Sequence, residues 1–287
     1  MTSAGTARRL WALAEPFHAL TYFAEEARAA GEAAGTTGFW STYFALRAAP
    51  LGPVGPEVVT AVFYNFAPSF VARRVPAVWD AVSPAAALDA RLAGVDAAVR
   101  RVLGEWAASP EAAEAAALAS TAAAAVDLPG RPLAAANAGL PAPGEPHLAL
   151  WQALTTLREH RGDGHTAALL GREVSGAGAH VLVAAAGRVD REWLQRARGW
   201  DDDAWTAAAD ELRTRGWLDG DELSAEGLAM TTAIEADTDR LALEPWRALG
   251  DPGCDRLGEL LVPVRRAVVT AGLFPDRNPI GVAPDEA

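Results

Sequence analysis

Residues 201–227 read DDDAWTAAADELRTRGWLDGDELSAEG. Asp201, Asp202 and Asp203 offer side-chain acceptors for the free N–H groups of a starting helix, and Gly216 supplies a stop. Residues 217–224, WLDGDELS, then predict a tight hairpin turning at Asp219-Gly220. Ser224 begins a further helix. Just upstream, DREWLQRARG predicts a short helix ended by Gly199. Helix, helix, two-stranded wing, helix is the order of a winged helix-turn-helix, and no strand is expected elsewhere.

The remainder of the chain reads as helix. Alanine and leucine dominate, and prolines fall where first helical turns accept them. Ser83-Pro84 and Ser109-Pro110-Glu111 predict helices over 84–106 and 110–125. Residues 128–146, rich in Pro and Gly, predict a connector with at most one short helix. A helix over 146–161 follows. Gly162-Asp163-Gly164 then predicts a corner, with Gly162 ending that helix and Asp163 capping a short one over 164–171. An apolar helix is expected near 177–186, and Cys254 is read as a helix residue. The fold class is therefore all-α: a multi-helix N-terminal domain over 1–175, then a winged-helix module with closing helices over 176–287.

Two resemblances bear on this reading. LRTRGWLDGDELSAEG is similar to the recognition-helix-to-wing passage of MarR-like winged-helix proteins, with Ser224-Ala225-Glu226-Gly227 at the turn into the next helix. EPFHALTYFAEEA, GFWSTYFALRAAPLG, FYNFAPSFVARRVPAVWDA and REHRGDGH resemble an actinobacterial family of helix-turn-helix proteins across almost the whole chain. The second resemblance implies the fold and no mechanism.

Composition excludes several classes. A net charge of −12 opposes nucleic-acid binding unless a local basic face exists. One cysteine excludes an internal disulfide framework and a multi-thiolate metal cage. No stretch has the length of a membrane span and no cleavage signal follows the N-terminus, so a cytoplasmic protein is expected. Lysine is absent, all 25 basic residues being arginine; with so much alanine this is coding bias. No G-x-S-x-G elbow, phosphate-binding P-loop or dinucleotide fingerprint is present.

The candidate recognition helix carries Asp201, Asp202, Asp203, Asp210 and Glu211 against Arg213 and Arg215, and the wing adds Asp219, Asp221 and Glu222. Such a surface sets carboxylates against phosphates, which disfavours DNA as a partner. Arg191, Arg196 and Arg198 could form a small basic patch on the preceding helix. A structural or dimerising role, with a homodimer as one assembly, fits better.

The helical half carries polar and aromatic groups at helical spacing. His18 and Tyr22, Tyr43 and Arg47, and His147 and Trp151 are each i, i+4 pairs. Tyr64-Asn65 and Asn137 add to them. Each group could be paired within the core, but together His18, Tyr22, Tyr43, Arg47, Tyr64, Asn65 and His147 suggest a pocket for a small polar or aromatic molecule. His160 and His165 are the catalytic candidates. The expected corner would set His160 at a helix C-terminus, favouring imidazolium, and His165 near an N-terminus, favouring the neutral ring. His-x4-His across glycines matches no metal motif, so no metal ligand is assigned and no cofactor is identified. The leading expectation is a small-molecule-binding protein, with or without chemistry on the ligand. The alternatives are a ligand-responsive MarR-like transcriptional regulator and a metal- or haem-dependent enzyme.

Overall fold

The computed structural model describes residues 2–274. Its helices are α1 (Ala4–His18), α2 (Leu20–Phe23), α3 (Glu25–Ala33), α4 (Gly38–Ala48), α5 (Pro56–Phe63), α6 (Pro68–Ala72), α7 (Val75–Ala81), α8 (Pro84–Leu103), α9 (Pro110–Ala123), α10 (Pro132–Ala138), α11 (Pro146–Leu170), α12 (Gly176–Ala185), α13 (Arg191–Arg198) and α14 (Asp202–Thr214), then α15 (Ala225–Leu241) and α16 (Glu244–Thr270). Between α14 and α15 lie β1 (Leu218–Asp219) and β2 (Glu222–Leu223), the sole sheet among the described residues. The all-α class with a small wing is thus correct. Ser83 and Ser109 cap α8 and α9, accepting from the N–H groups of Ala86 and Ala112.

Of the five apolar clusters among the described residues, the three largest form the main cores. In the first, the buried alanines of α9 (Ala112, Ala115, Ala116, Ala119, Ala122) let it lie closely along α11. Leu10 and Phe17 of α1 and Leu257, Leu261 and Val264 of α16 complete that core, so the last helix returns to the first half. In the second, Phe44, Phe63, Phe66 and Phe70 pack beside Trp40 and Tyr43. In the third, Val181, Leu194, Trp205, Leu212, Trp217 and Ile234 form the winged-helix core.

The expected corner at Gly162-Asp163-Gly164 does not form: α11 runs unbroken through it. Asp163 caps a different helix, its carboxylate accepting the Ala134 N–H of α10 at 3.0 Å. This matters because Arg131, at the N-cap of α10, makes no side-chain cap of its own. Gly164 makes room for Arg131; a Cβ there would lie 2.3 Å from Nη1. That guanidinium donates to the carbonyls of His160 (2.7 Å) and Leu241 (2.9 Å). Packing overrides the weak helix propensity of glycine.

The hairpin is shifted by one residue. Leu218 pairs with Leu223 and Asp219 with Glu222, so Gly220 and Asp221 form the turn rather than Asp219-Gly220. Gly220, with φ 60°, supplies the positive φ at the first turn position. Ser224 caps α15 through the Gly227 N–H and donates to the Gly216 carbonyl at 2.6 Å, closing the wing onto α15. The wing backbone is so close that a Cβ on Gly227 would lie 1.9 Å from the Trp217 carbonyl oxygen.

The two glycines of α11 therefore respond oppositely to substitution. At Gly162 a Cβ would meet only ordinary contacts at 3.4 Å or more. Gly162→Ala is expected to stabilise by about 0.5–1 kcal/mol through helix propensity. Gly164→Ala is expected to cost about 1–3 kcal/mol by displacing Arg131 from its two part-buried carbonyl partners. Guanidinium denaturation of the two variants measures both.

Candidate ligand site

Helices α1, α2, α4, α8 and α11 border a polar recess. Helix α1 ends at His18, and the turn through Ala19 brings Tyr22 of α2 beneath it. On α4, Tyr43 and Arg47 share a face, Arg47 donating to the tyrosine oxygen at 2.9 Å. From α11, Glu159 receives Arg47 in a two-pronged ion pair, both oxygens at 3.1 Å. Arg158 donates to the same carboxylate at 3.0 Å and lies 3.5 Å from Glu15, which also accepts from the Trp11 indole. His18 Nδ1 meets Thr155 at 3.0 Å, and its ring stacks on Trp151, whose indole donates to the His18 carbonyl. The rings of His18 and Tyr22 meet edge to face, and those of Tyr22 and Tyr43 lie 5.0 Å apart.

At the bottom lies Arg91 of α8, buried and over the Trp151 ring. It reaches only neutral oxygens: the Leu46 carbonyl at 3.4 Å and the amide oxygens of Asn137 and Gln152 at 3.3 Å. Between these groups is a small cavity of about 10 Å³, lined by His18, Thr21, Tyr22, Arg47, Arg91 and Glu159 among others. His18 Nε2, Thr21 Oγ1 and Arg91 Nε are buried here without a hydrogen-bond partner.

The charges follow from these contacts. Burial raises the Glu159 pKa, but Arg47 and Arg158 outweigh it and hold the carboxylate well below its ordinary range. Burial alone would weaken Arg47, yet Glu159 keeps it firmly protonated. Burial, reinforced by Arg158, pushes His18 well below the usual histidine value, so the ring is neutral. Burial lowers Arg91 to about 10, with no carboxylate close enough to reverse it.

Of the predicted ligand residues, His18, Tyr22, Tyr43 and Arg47 come together here. Tyr64, Asn65 and His147 do not. Tyr64 caps α5 with φ 53° and donates to the Val174 carbonyl, while the Asn65 carbonyl accepts from His180 and from Trp200, both at 3.0 Å. This pair straps the helical half to the winged helix. His147, fully buried, bridges Asp96 and the Ala107 carbonyl near the start of α11. The catalytic candidates also diverge: His165 pairs with Thr238 of α15 at 2.9 Å, whereas His160 lies near Arg131 with Nε2 unpartnered. Since α11 is continuous, neither stands at a helix end, and the dipole argument for opposed ionisation fails. Burial lowers both, His160 to about 4.

Sequence reading passed over Arg91, Gln152, Thr21 and Thr155. The signal was a polar stripe on α11, Gln152-Thr155-Glu159, at helical spacing. Such a stripe ordinarily marks the solvent face of a helix.

The winged helix is acidic where a DNA reader would be basic. Residues 176–241 hold seven arginines against fourteen carboxylates. Asp202, Asp203, Asp210 and Glu211 are exposed on α14, and Arg213 is taken up by Asp210 (2.7 Å) and Asp221 (2.9 Å). The expected patch of Arg191, Arg196 and Arg198 loses a member, because Arg198 is buried over the Phe66 ring. No helix among the described residues is long and apolar enough to cross a membrane.

Fold and site together define an all-α protein with a winged helix-turn-helix and a buried polar recess. Its sequence matches a family described as a helix-turn-helix family over residues 7–275, and the chain belongs to that family. No curated protein and no solved structure matches it.

The buried histidines set the acid response. His160 at about 4 instead of 6.5 means the unfolded chain binds its proton more readily between those values, so stability rises with pH there. His18, His165 and His180 act in the same sense. Asp163, raised by burial from 3.8 to about 6, opposes them. Stability is expected to climb from pH 4 to 6.5, with His160→Asn flattening the climb and Asp163→Asn steepening it, as read from denaturation midpoints across that range.

Proposed function

We propose that this helix-turn-helix protein binds a small molecule in the recess between α1, α2, α4, α8 and α11, and that its winged helix serves docking or support rather than DNA reading. One observation carries the reading: three buried polar groups without partners, on His18, Thr21 and Arg91, border one cavity. Buried polar groups are nearly always paired, and leaving them unpaired destabilises a fold. Their convergence suits a polar visitor.

The cavity has room for about one water. A larger guest requires Tyr22, Tyr43, Arg47 and Arg158, all partly exposed, to swing outward. A wider groove of about 540 Å³ opens between α12, α13, α14 and the wing, over Val181, Trp205 and Leu218. Of its cations, Arg191 and Arg213 have carboxylate partners and Arg188 is exposed to water, so it lacks the buried, unmet polar demand of the recess.

Membership of a helix-turn-helix family favours a second reading, a ligand-responsive regulator that binds DNA. Fluorescence anisotropy with genomic fragments at about 150 mM salt separates the two, because counterion release dominates such affinities. The first reading expects no sequence-dependent binding, and tight sequence-dependent binding overturns it.

Thr21→Val tests the recess itself. Replacing an unpartnered hydroxyl by a methyl of equal shape is expected to stabilise the free protein by about 1 kcal/mol. The same change is expected to diminish the rise in melting temperature given by any small molecule that protects the wild type. A variant that melts lower, or responds unchanged, counts against the recess.

A further inference from the structure

Resting on the recess reading, we propose that its ligand is a small monoanion, of halide to formate size, held by Arg91, His18 and Thr21. The argument is one of charge. Four guanidiniums, of Arg47, Arg91, Arg158 and Arg198, lie in or beside the recess and its aromatic wall. Two carboxylates, Glu159 and Glu15, face them, and these are engaged by Arg47 and Arg158.

Arg91 and Arg198 are left with neutral oxygens. The contacts of Arg91 at 3.3–3.4 Å are longer than the charge-assisted bonds a guanidinium makes to an anion, about 2.7–2.9 Å. Arg198 has the Ala197 carbonyl at 3.2 Å and the face of Phe66. The remaining nearby charges are balanced elsewhere: Asp163 faces Arg131, and Arg161 and Arg8 share Glu235 and Asp239. An isolated charge out of water is costly unless paired.

Two other groups at the cavity, on His18 and Thr21, suit an anion too, while the Glu159 carboxylate that also borders it is already neutralised by Arg47 and Arg158. In the tautomer in which Thr155 donates to Nδ1, the neutral His18 ring carries its proton on Nε2, and this is the tautomer an anion in the cavity would select. Thr21 Oγ1 adds a hydroxyl donor and Arg91 Nε a third. A cation would be repelled by Arg91 and Arg47, and a neutral guest would leave Arg91 uncompensated. The cavity volume restricts an unaided fit to a monatomic ion, and formate requires the outward swing of the side chains at the mouth.

The test is thermal denaturation of the full chain with sodium formate or sodium chloride, at constant ionic strength made up with sodium gluconate, whose anion is too large. A saturable rise of about 2 °C or more is expected from formate, chloride or both. Arg91→Met is expected to weaken the response at least tenfold, while Arg100→Met, a surface arginine of the same helix, leaves it unchanged. Should Arg91→Met not fold, Thr21→Val is expected to shift formate affinity severalfold. No response beyond gluconate, or a full response in Arg91→Met, overturns the proposal. Formamide separates the layers: protection by formamide but by neither formate nor chloride overturns the anion and spares the recess, whereas inertness of all three, with no other protecting molecule, overturns both.

Discussion

The ion pair between Arg47 and Glu159 is the constraint on which the site depends. It joins α4 to α11 across 112 residues of chain and lies almost wholly out of water. Such a pair adds little net stability, since desolvation offsets much of the attraction, but losing one partner strands the other. Arg47 also fixes Tyr43, and Glu159 gathers Arg158, which leads on to Glu15 and Trp11. Three helices, α1, α4 and α11, are thereby held at the separations that leave the recess between them.

How much of this was legible depends on how local the cause is. Ser83, Ser109, Asp201, Gly199 and Ser224 act within a few residues of themselves, and the elements they begin or end fall as expected. The wing turn slipped by one residue because Asp219-Gly220 and Gly220-Asp221 are both acceptable turn pairs; the Leu218–Leu223 pairing decides between them. Gly162-Asp163-Gly164 misled for a stronger reason. Its cause is Arg131, about thirty residues upstream, and nothing within the tripeptide reports that a distant guanidinium must pass there.

The site divides in the same way. His18, Tyr22, Tyr43 and Arg47 stand out because polar aromatics at i, i+4 spacing are conspicuous in apolar helices. Tyr64, Asn65 and His147 have the same appearance and do other work, since one buried polar residue resembles another until its partner is known. Arg91 was invisible, being one of 25 arginines in a chain without lysine. What sets it apart is an unpartnered Nε at the cavity with no carboxylate paired to it, and that is a property of the fold. Family membership and the charge of α14 likewise speak to different levels: the first fixes the architecture, the second what that architecture can touch.

The seam at Tyr64–Ala67 has a mechanical consequence. Ala67 donates to the Arg198 carbonyl, the Arg198 guanidinium rests on Phe66, and Phe70 fills the space beside Gly199. Helix α13 is thus keyed into the same aromatic block that backs Tyr43. The winged helix therefore meets that block through ring contacts rather than a slack linker, and the same rings continue to Arg47, which lies over Phe63.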